Sequence, residues 1–456
     1  MKIKKVVREY PFTLTVTLDG LLAHFAVAFT SPTFAIFAAL LTGAVLVRGR
    51  HTVTRMVVAA GIRLRHHASF HRFFSERRWE MDDLWKGLVE LIAKKLLDPN
   101  DVIRIAVDDT AAAKTGGKIH GAGMVFDNRP AARKGWNLRW GHTWVWLTVR
   151  LRVRLWPDHT FALPVQAERY RSQKECQKTG RPFLTKPQLA LKMIQKVVSW
   201  FPGRRFLLDV DGGYASGELM QGLPENVQVV GRLRHDAALY ALPPPKRSGR
   251  GRPAQRGRRL ATPKGYVARR PKGWTRVELP NGDSYEVQAW VALWWSVFRK
   301  KPILVVAARH PARKSGEKPG PVSFFYSTDL TLTPVQTLAE YDDRWSIECL
   351  IHEVKERMGF EDPQCRTEAA VDRTPAFLLW TAGLVQYWYL AQGAEAPSVW
   401  RPRWRPRAVH EPPSFSDMLS ALRQEILANR FMQGSTSKDD LIQTVRTFIE
   451  SAAYAA

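Results

Sequence analysis

The sequence predicts an α/β fold: a mixed-sheet core carrying a β-rich insertion, with helical N- and C-terminal regions. Three observations carry this. Apolar residues follow a helical period up to about residue 100 and a two-residue, strand-like period from residue 101. Short apolar runs bounded by turn residues then alternate with a helical stretch. Helical periodicity returns after Thr333 and continues toward the end of the chain.

Composition sets the limits. A chain of 456 residues is long enough for several domains and a large core, which excludes a disulfide mini-scaffold. Hydrophobic residues make up 45%, which excludes wholesale disorder. There are 69 Lys and Arg against 42 Asp and Glu, a net charge of +27. Such a surplus points to a polyanionic partner, nucleic acid before a membrane surface. The three cysteines, Cys176, Cys349 and Cys365, are widely spaced and form no C-x-x-C pair, which fits a reducing cytosol and no zinc ribbon.

At the N-terminal end, residues 20–47 contain no charged side chain, long enough to span a membrane. Ser31-Pro32-Thr33 interrupts the run as a helix stop and restart, so two buried helices are expected, the second from about Phe34 to Val47. Arg8, Glu9 and Asp19 break up the opening, and no cleaved signal is expected. Thr52 to Gly61 could follow as the second helix of a helix-turn-helix. His66 to Trp79 interleaves aromatic and cationic side chains, a pattern suited to phosphate contact and base stacking, or to a packed helix with a basic face. His66, His67 and His71 lack a Cys or carboxylate at ligand spacing, so no metal is expected there.

Val102 to Val107 is a strand running into Asp108-Asp109-Thr110. His142 to Trp156 and Thr160 to Val165 read as its antiparallel neighbours, and Pro187 to Trp200 as a helix. Arg205 to Val210 is a further strand, running into Asp211-Gly-Gly-Tyr214. Strand-like runs at 227–232, 285–294 and 303–308 make up the insertion. Residues 243–273 within it are rich in Pro, Gly and Arg, a basic arm that could clamp a DNA backbone through Arg250, Arg252, Arg258 and Arg259. Thr333, Pro334 and Gln336 mark a helix start, with a break near Ser346 and Gly359 as the stop. Ala376 to Leu390 is an apolar helix, 391–413 a Pro/Arg/Trp linker and 414–456 a helical tail. The expected division is 1–100, 101–222, 223–325, 326–393 and 394–456.

Three carboxylates stand out. Asp108 and Asp211 each end an apolar run, and Glu348 lies on a helix with Tyr341, Arg344 and Lys355 at spacings that bring all four into one stripe. Converging carboxylates can hold two divalent ions roughly 3.5–4 Å apart that activate water and stabilise a leaving oxygen in phosphodiester displacement. Hard oxygen donors favour magnesium or manganese. Flanking Arg and Lys can grip phosphates beside the scissile bond. The same stripe also suits a solvated face with ion pairs one turn apart.

Tyr341-x2-Arg344-x3-Glu348-x6-Lys355 matches the Y-(2)-R-(3)-E-(6)-K signature, and the chain resembles the DDE transposases of bacterial insertion sequences. Asp108-Asp-Thr and Asp211-Gly-Gly-Tyr resemble that family's first and second aspartate motifs. The resemblance covers residues 100–390, and the basic, aromatic N-terminal region is similar to the family's DNA-binding end. It implies an RNase H-like core and cut-and-paste transposition in the bacterial cytoplasm, at the nucleoid. It further implies a homodimer on double-stranded DNA, contacting transposon ends and target, and two Mg2+ ions for which Mn2+ can substitute. Carried over, Asp108, Asp211 and Glu348 are the catalytic metal ligands, with Asp109 and Asp209 as alternatives to their neighbours. Tyr341, Arg344 and Lys355 contact the DNA ends. The signature is also similar to that of transposases that free their ends through a DNA hairpin. One of Trp290, Trp294 and Trp295 would then hold an unstacked base, while the others pack. A related metal-dependent nuclease, a domesticated inactive copy, or a non-catalytic basic DNA-binding protein are the rival readings.

Overall fold

The computed structural model describes residues 16–62, 66–127, 137–244, 254–312, 317–393, 411–433 and 442. Helices α1 (Val16–Ala23), α2 (Ser31–Leu46), α3 (Val53–Ala59), α4 (Ala68–Ser75) and α5 (Met81–Leu96) come first. Pro32 sits in the first turn of α2, where its missing N–H costs nothing. Nearly the whole circumference of α2 is buried, so the uncharged run is core. No helix among the described residues is long and apolar enough to cross a membrane.

The sheet begins with β1 (Ile103–Ala113), β2 (Gly123–Phe126), β3 (Leu138–Val153) and β4 (Trp156–Tyr170). Helix α6 (Lys186–Ser199) follows, started by a capping box between Thr185 and Gln188. Then come β5 (Phe206–Val210) and β6 (Val227–Arg232), and after them β7 (Thr275–Glu278), β8 (Ser284–Leu293), β9 (Pro302–Arg309) and β10 (Ser323–Ser327). Across the sheet the central order is β4, β3, β1, β5, β6. β3 runs antiparallel to β1 and β4, whereas β5 and β6 run parallel to β1. This is the mixed, RNase H-like arrangement expected from the resemblance. The strands of the insertion do not form a separate sheet: β10 pairs with β6, and β9, β8 and β7 continue outward from it.

Helices α7 (Pro334–Asp343), α8 (Trp345–Arg357) and α9 (Glu368–Leu390) close the core, and α10 (Phe415–Gln433) follows. The expected capping box of Thr333 and Gln336 starts α7, and Gly359 adopts φ 57° just beyond α8, as a helix stop requires. From Thr374 onward every side chain of α9 is buried. The N-terminal helices pack on it: Phe25 meets Trp380 edge-on at 4.9 Å, and the Trp380 indole donates to the Leu84 carbonyl at 2.9 Å. The rings of the 66–79 segment, Phe70, Phe73, Phe74 and Trp79, also turn into this core, while Arg72, Arg77 and Arg78 stay exposed. The large rings of that segment are therefore spent on the core, and its exposed side chains include the cations and the imidazoles of His66, His67 and His71. From α10, Arg423 donates to the carbonyls of Val45 and Val47, at 2.6 and 3.0 Å, where α2 ends.

Two glycines test this packing. A Cβ on Gly43 of α2 would stand 2.0 Å from the Met56 carbonyl of α3, whereas one on Gly20 of α1 meets nothing within 4 Å. Gly43→Ala is expected to lower the thermal midpoint by an amount matching about 1–3 kcal/mol of overpacking. Gly20→Ala should hold or raise it through helix propensity. A Gly43→Ala protein melting with wild type would refute the close approach of α2 and α3.

Candidate active site

The parallel pairing of β1 with β5 builds the site. Its last registered pair is Ala106 with Asp209, so Asp108, two residues further along β1, and Asp211, in the turn just after β5, come out at the same end of the sheet, close enough for Asp211 to repel Asp108. Asp109 points to the opposite face, where Lys186 at the start of α6 pairs with it at 2.6 Å and the Tyr214 hydroxyl donates to it at 3.1 Å. On the Asp108 face lies α8. Arg344, between α7 and α8, donates to Asp108 Oδ2 at 3.2 Å and to Glu348 Oε1 one turn on. One guanidinium thus joins the first aspartate to the glutamate.

The expected helix break falls at Arg344 rather than Ser346. There the amides bond back three residues, Arg344 to Tyr341 and Ile347 to Arg344, and the Ser346 hydroxyl donates to the Asp343 carbonyl. Tyr341, Arg344, Glu348 and Lys355 are therefore divided between two helices. Tyr341 packs on Phe325 of β10 at 4.8 Å, with Arg344 over its ring at 5.6 Å. Lys355 lies two turns beyond Glu348, donating to the Ala111 carbonyl and pairing with Glu361 at 3.2 Å.

Electrostatics separate the aspartates. Burial, with Asp211 and Asp109 adding repulsion, pushes Asp108 up to about 6 despite Arg344 and the Asp109 amide, which favour its charge. Asp211 accepts the amides of Gly213 and Tyr214 at 2.9 and 3.2 Å, which orients its carboxylate in the turn after β5. Asp209 is enclosed completely and spent on an ion pair with Arg150. Among the described residues, no group of three or more His, Cys, Asp or Glu side chains is gathered closely enough to hold a metal ion. The donor set nonetheless fits a hard divalent cation. Asp108 and Asp211 offer only oxygen, and the repulsion raising Asp108 is what a cation would relieve.

The other expected contacts divide. Trp290 is buried and stacked on Tyr266 at 4.0 Å, and Trp294 is buried against Phe298 and Tyr326. Trp295 is half-buried, with Arg256 5.2 Å over its ring and 4.3 Å over that of Tyr240. Arg258 and Arg259 are exposed beside Tyr240, whereas Arg250 and Arg252 lie outside the described residues. Sequence reasoning missed Arg150, Glu340 and Asp343, a charged group under α7. The signal available in the sequence is an arginine inside a long strand run, which alternation alone places on a polar face.

A family model described as DDE superfamily endonuclease matches residues 24–300, more than half of the chain. No curated protein matches it. The chain belongs to the DDE superfamily endonuclease family, which makes it a nuclease-type protein with DNA as the implied substrate. The match takes in Asp108 and Asp211 and ends before Glu348.

The raised Asp108 has a consequence for stability. The folded chain holds this proton more tightly than the unfolded one, so ionising it costs stability as pH climbs from about 4 to about 6. Asp108→Asn removes that cost. Its thermal midpoint should exceed that of wild type above about pH 6, the gap closing below about pH 4. A variant less stable than wild type at neutral pH would contradict the assigned environment.

Proposed function

We propose that the chain is a transposase that binds the terminal inverted repeats of its element, cuts beside them and joins the freed ends to new DNA. The observation supporting this is the placement of Asp108 and Asp211 at the same end of β1 and β5, with Arg344 tying Asp108 to Glu348 on the helix covering the Asp108 face. Asp108, Asp211 and Glu348 would hold two Mg2+ ions, or Mn2+ in their place. When bound, such ions activate water and stabilise the leaving oxygen.

The chain's own groups do the rest. Arg344, already joined to both carboxylates, is the donor nearest to where a scissile phosphate would sit, and its planar fork suits phosphate oxygens. Lys355, at the far end of the stripe, would grip the strand further along. Tyr341 holds Arg344 from beneath. The surplus of 27 charges, including the exposed Arg258 and Arg259, supplies affinity without sequence preference. Trp295 is the half-buried member of its trio, so it is the candidate to take an unstacked base at a hairpin end. On DNA the working form would be a homodimer.

The test is a plasmid carrying the genomic DNA that flanks the coding sequence, incubated with protein and Mg2+. Wild type should nick beside the repeats and then transfer the ends. Asp108→Asn, Asp211→Asn and Glu348→Gln should each cut at least about a thousandfold more slowly, while binding within about threefold of wild type, since phosphate contacts carry the affinity. Asp109→Asn should keep cutting; its inactivity alongside an active Asp108→Asn would move the ligand by one residue. Nicking without strand transfer would leave a metal-dependent nuclease, and a fully active Glu348→Gln would end the proposal.

The hairpin step has its own readout. Trp295→Ala should permit the first nick and slow formation of the hairpin band on denaturing gels of end-labelled DNA, by about tenfold for a stacking loss of roughly 1–3 kcal/mol. Ends released by wild type with no hairpin at any time would remove this role.

A further inference from the structure

Arg150 lies within β3, opposite Arg104 of β1 and Ala162 of β4, and its side chain is fully enclosed. A guanidinium does not give up its charge in a protein, so an interior that encloses it must supply anions. Three carboxylates do so. Arg150 Nη2 pairs directly with Asp209 of β5 and donates to Glu340 Oε2 at 3.2 Å. Its Nη1 donates to the Glu340 carbonyl at 3.3 Å and lies 3.7 Å from Asp343 Oδ2. Arg104 binds both Glu340 oxygens, at 2.8 and 3.0 Å, and Arg152 reaches Asp343 at 2.7 Å.

The placement of these partners matters more than their number. Asp209 stands two residues before Asp211, and Asp343 directly precedes Arg344. Arg150 is therefore an enclosed side chain that grips both the strand leading to the second aspartate and the helix leading to Arg344 and Glu348. Stability is a poor account of this cluster. Buried ion pairs are often replaceable by packed apolar side chains without loss, and Arg150 Nε and Asp209 Oδ1 are buried with no hydrogen-bond partner.

We propose that Arg150 is a positioning residue for DNA cleavage: by clamping α7 to β5 it sets where Arg344 and Glu348 stand against Asp108. This rests on the reading of those carboxylates as catalytic. A displacement of about 1 Å at such a site can cost as much as a hundredfold in rate, so a loosened clamp should act on the chemical step and leave DNA affinity alone.

The experiment uses the full chain, with Arg150→Lys and the apolar replacement Arg150→Met/Asp209→Leu, the second serving if the first fails to fold. Each is measured for cleavage of the flanking-DNA plasmid, affinity for the same DNA, thermal midpoint, and hydrogen exchange of peptides covering 334–357 and 376–390. The expected result is cleavage slowed at least about tenfold, affinity within about twofold, and faster exchange confined to 334–357. Cleavage within about twofold of wild type overturns the proposal. So does faster exchange in both regions with a lowered midpoint, which would assign Arg150 to general stability. If wild type itself does not cleave, the functional reading fails separately, and unchanged exchange over 334–357 would then overturn the role of Arg150.

Discussion

The parallel pairing of β1 with β5 is the constraint on which the rest of the site depends. Side chains alternate across a strand, so register decides which aspartates can meet. With Ala106 opposite Asp209, Asp108 and the turn residue Asp211 emerge together just beyond, while Asp109 is sent to the α6 face and to Lys186. A slip of one residue would exchange Asp108 for Asp109 and leave Arg344 without its cross-sheet partner. Long apolar contacts oppose such a slip. Trp146, in register with Asp108, packs edge-on against Phe360 just beyond α8 at 4.9 Å.

Bringing carboxylates together beside an apolar core has a cost, visible in the raised proton affinity of Asp108. Arg344 offsets part of it. On the proposed function, a bound cation would offset more of it. The opposite face shows the alternative. There Asp109 has a lysine and a tyrosine hydroxyl in place, so its charge is answered within the chain itself.

Much of this was legible in the sequence. The strand runs, the capping box of α7 and the stop at Gly359 follow from local patterns that tertiary contacts did not override. The pairing of β1 with β5 did not follow, because two strands separated by a hundred residues carry no local mark of their register. That is why Asp108 and Asp109 stayed open on sequence alone. The break expected near Ser346 falls at Arg344, made by amides bonding back three residues with no proline or glycine to mark it. The Arg150 cluster was invisible for a different reason. Alternation along β3 suggests one polar face, whereas the strand is central to the sheet and buried on both from Gly141 to Leu151.

The N-terminal region shows how far charge patterning carries. Its interleaved rings and cations suited two different surfaces, and the α9 helix decides between them. Because α9 is apolar around its circumference, it needs covering on the side away from the sheet. Phe25, Phe37, Phe73 and Phe377 meet there in one aromatic cluster with Trp380 and Trp79. The rings are thereby committed to the core, and Arg373 fixes the join by donating to the carbonyls of Phe74, Arg77 and Trp79. Arg72, Arg77 and Arg78 remain on the outside, held to the catalytic core by the rings beneath them. These exposed cations suit phosphate contacts, which salt weakens steeply.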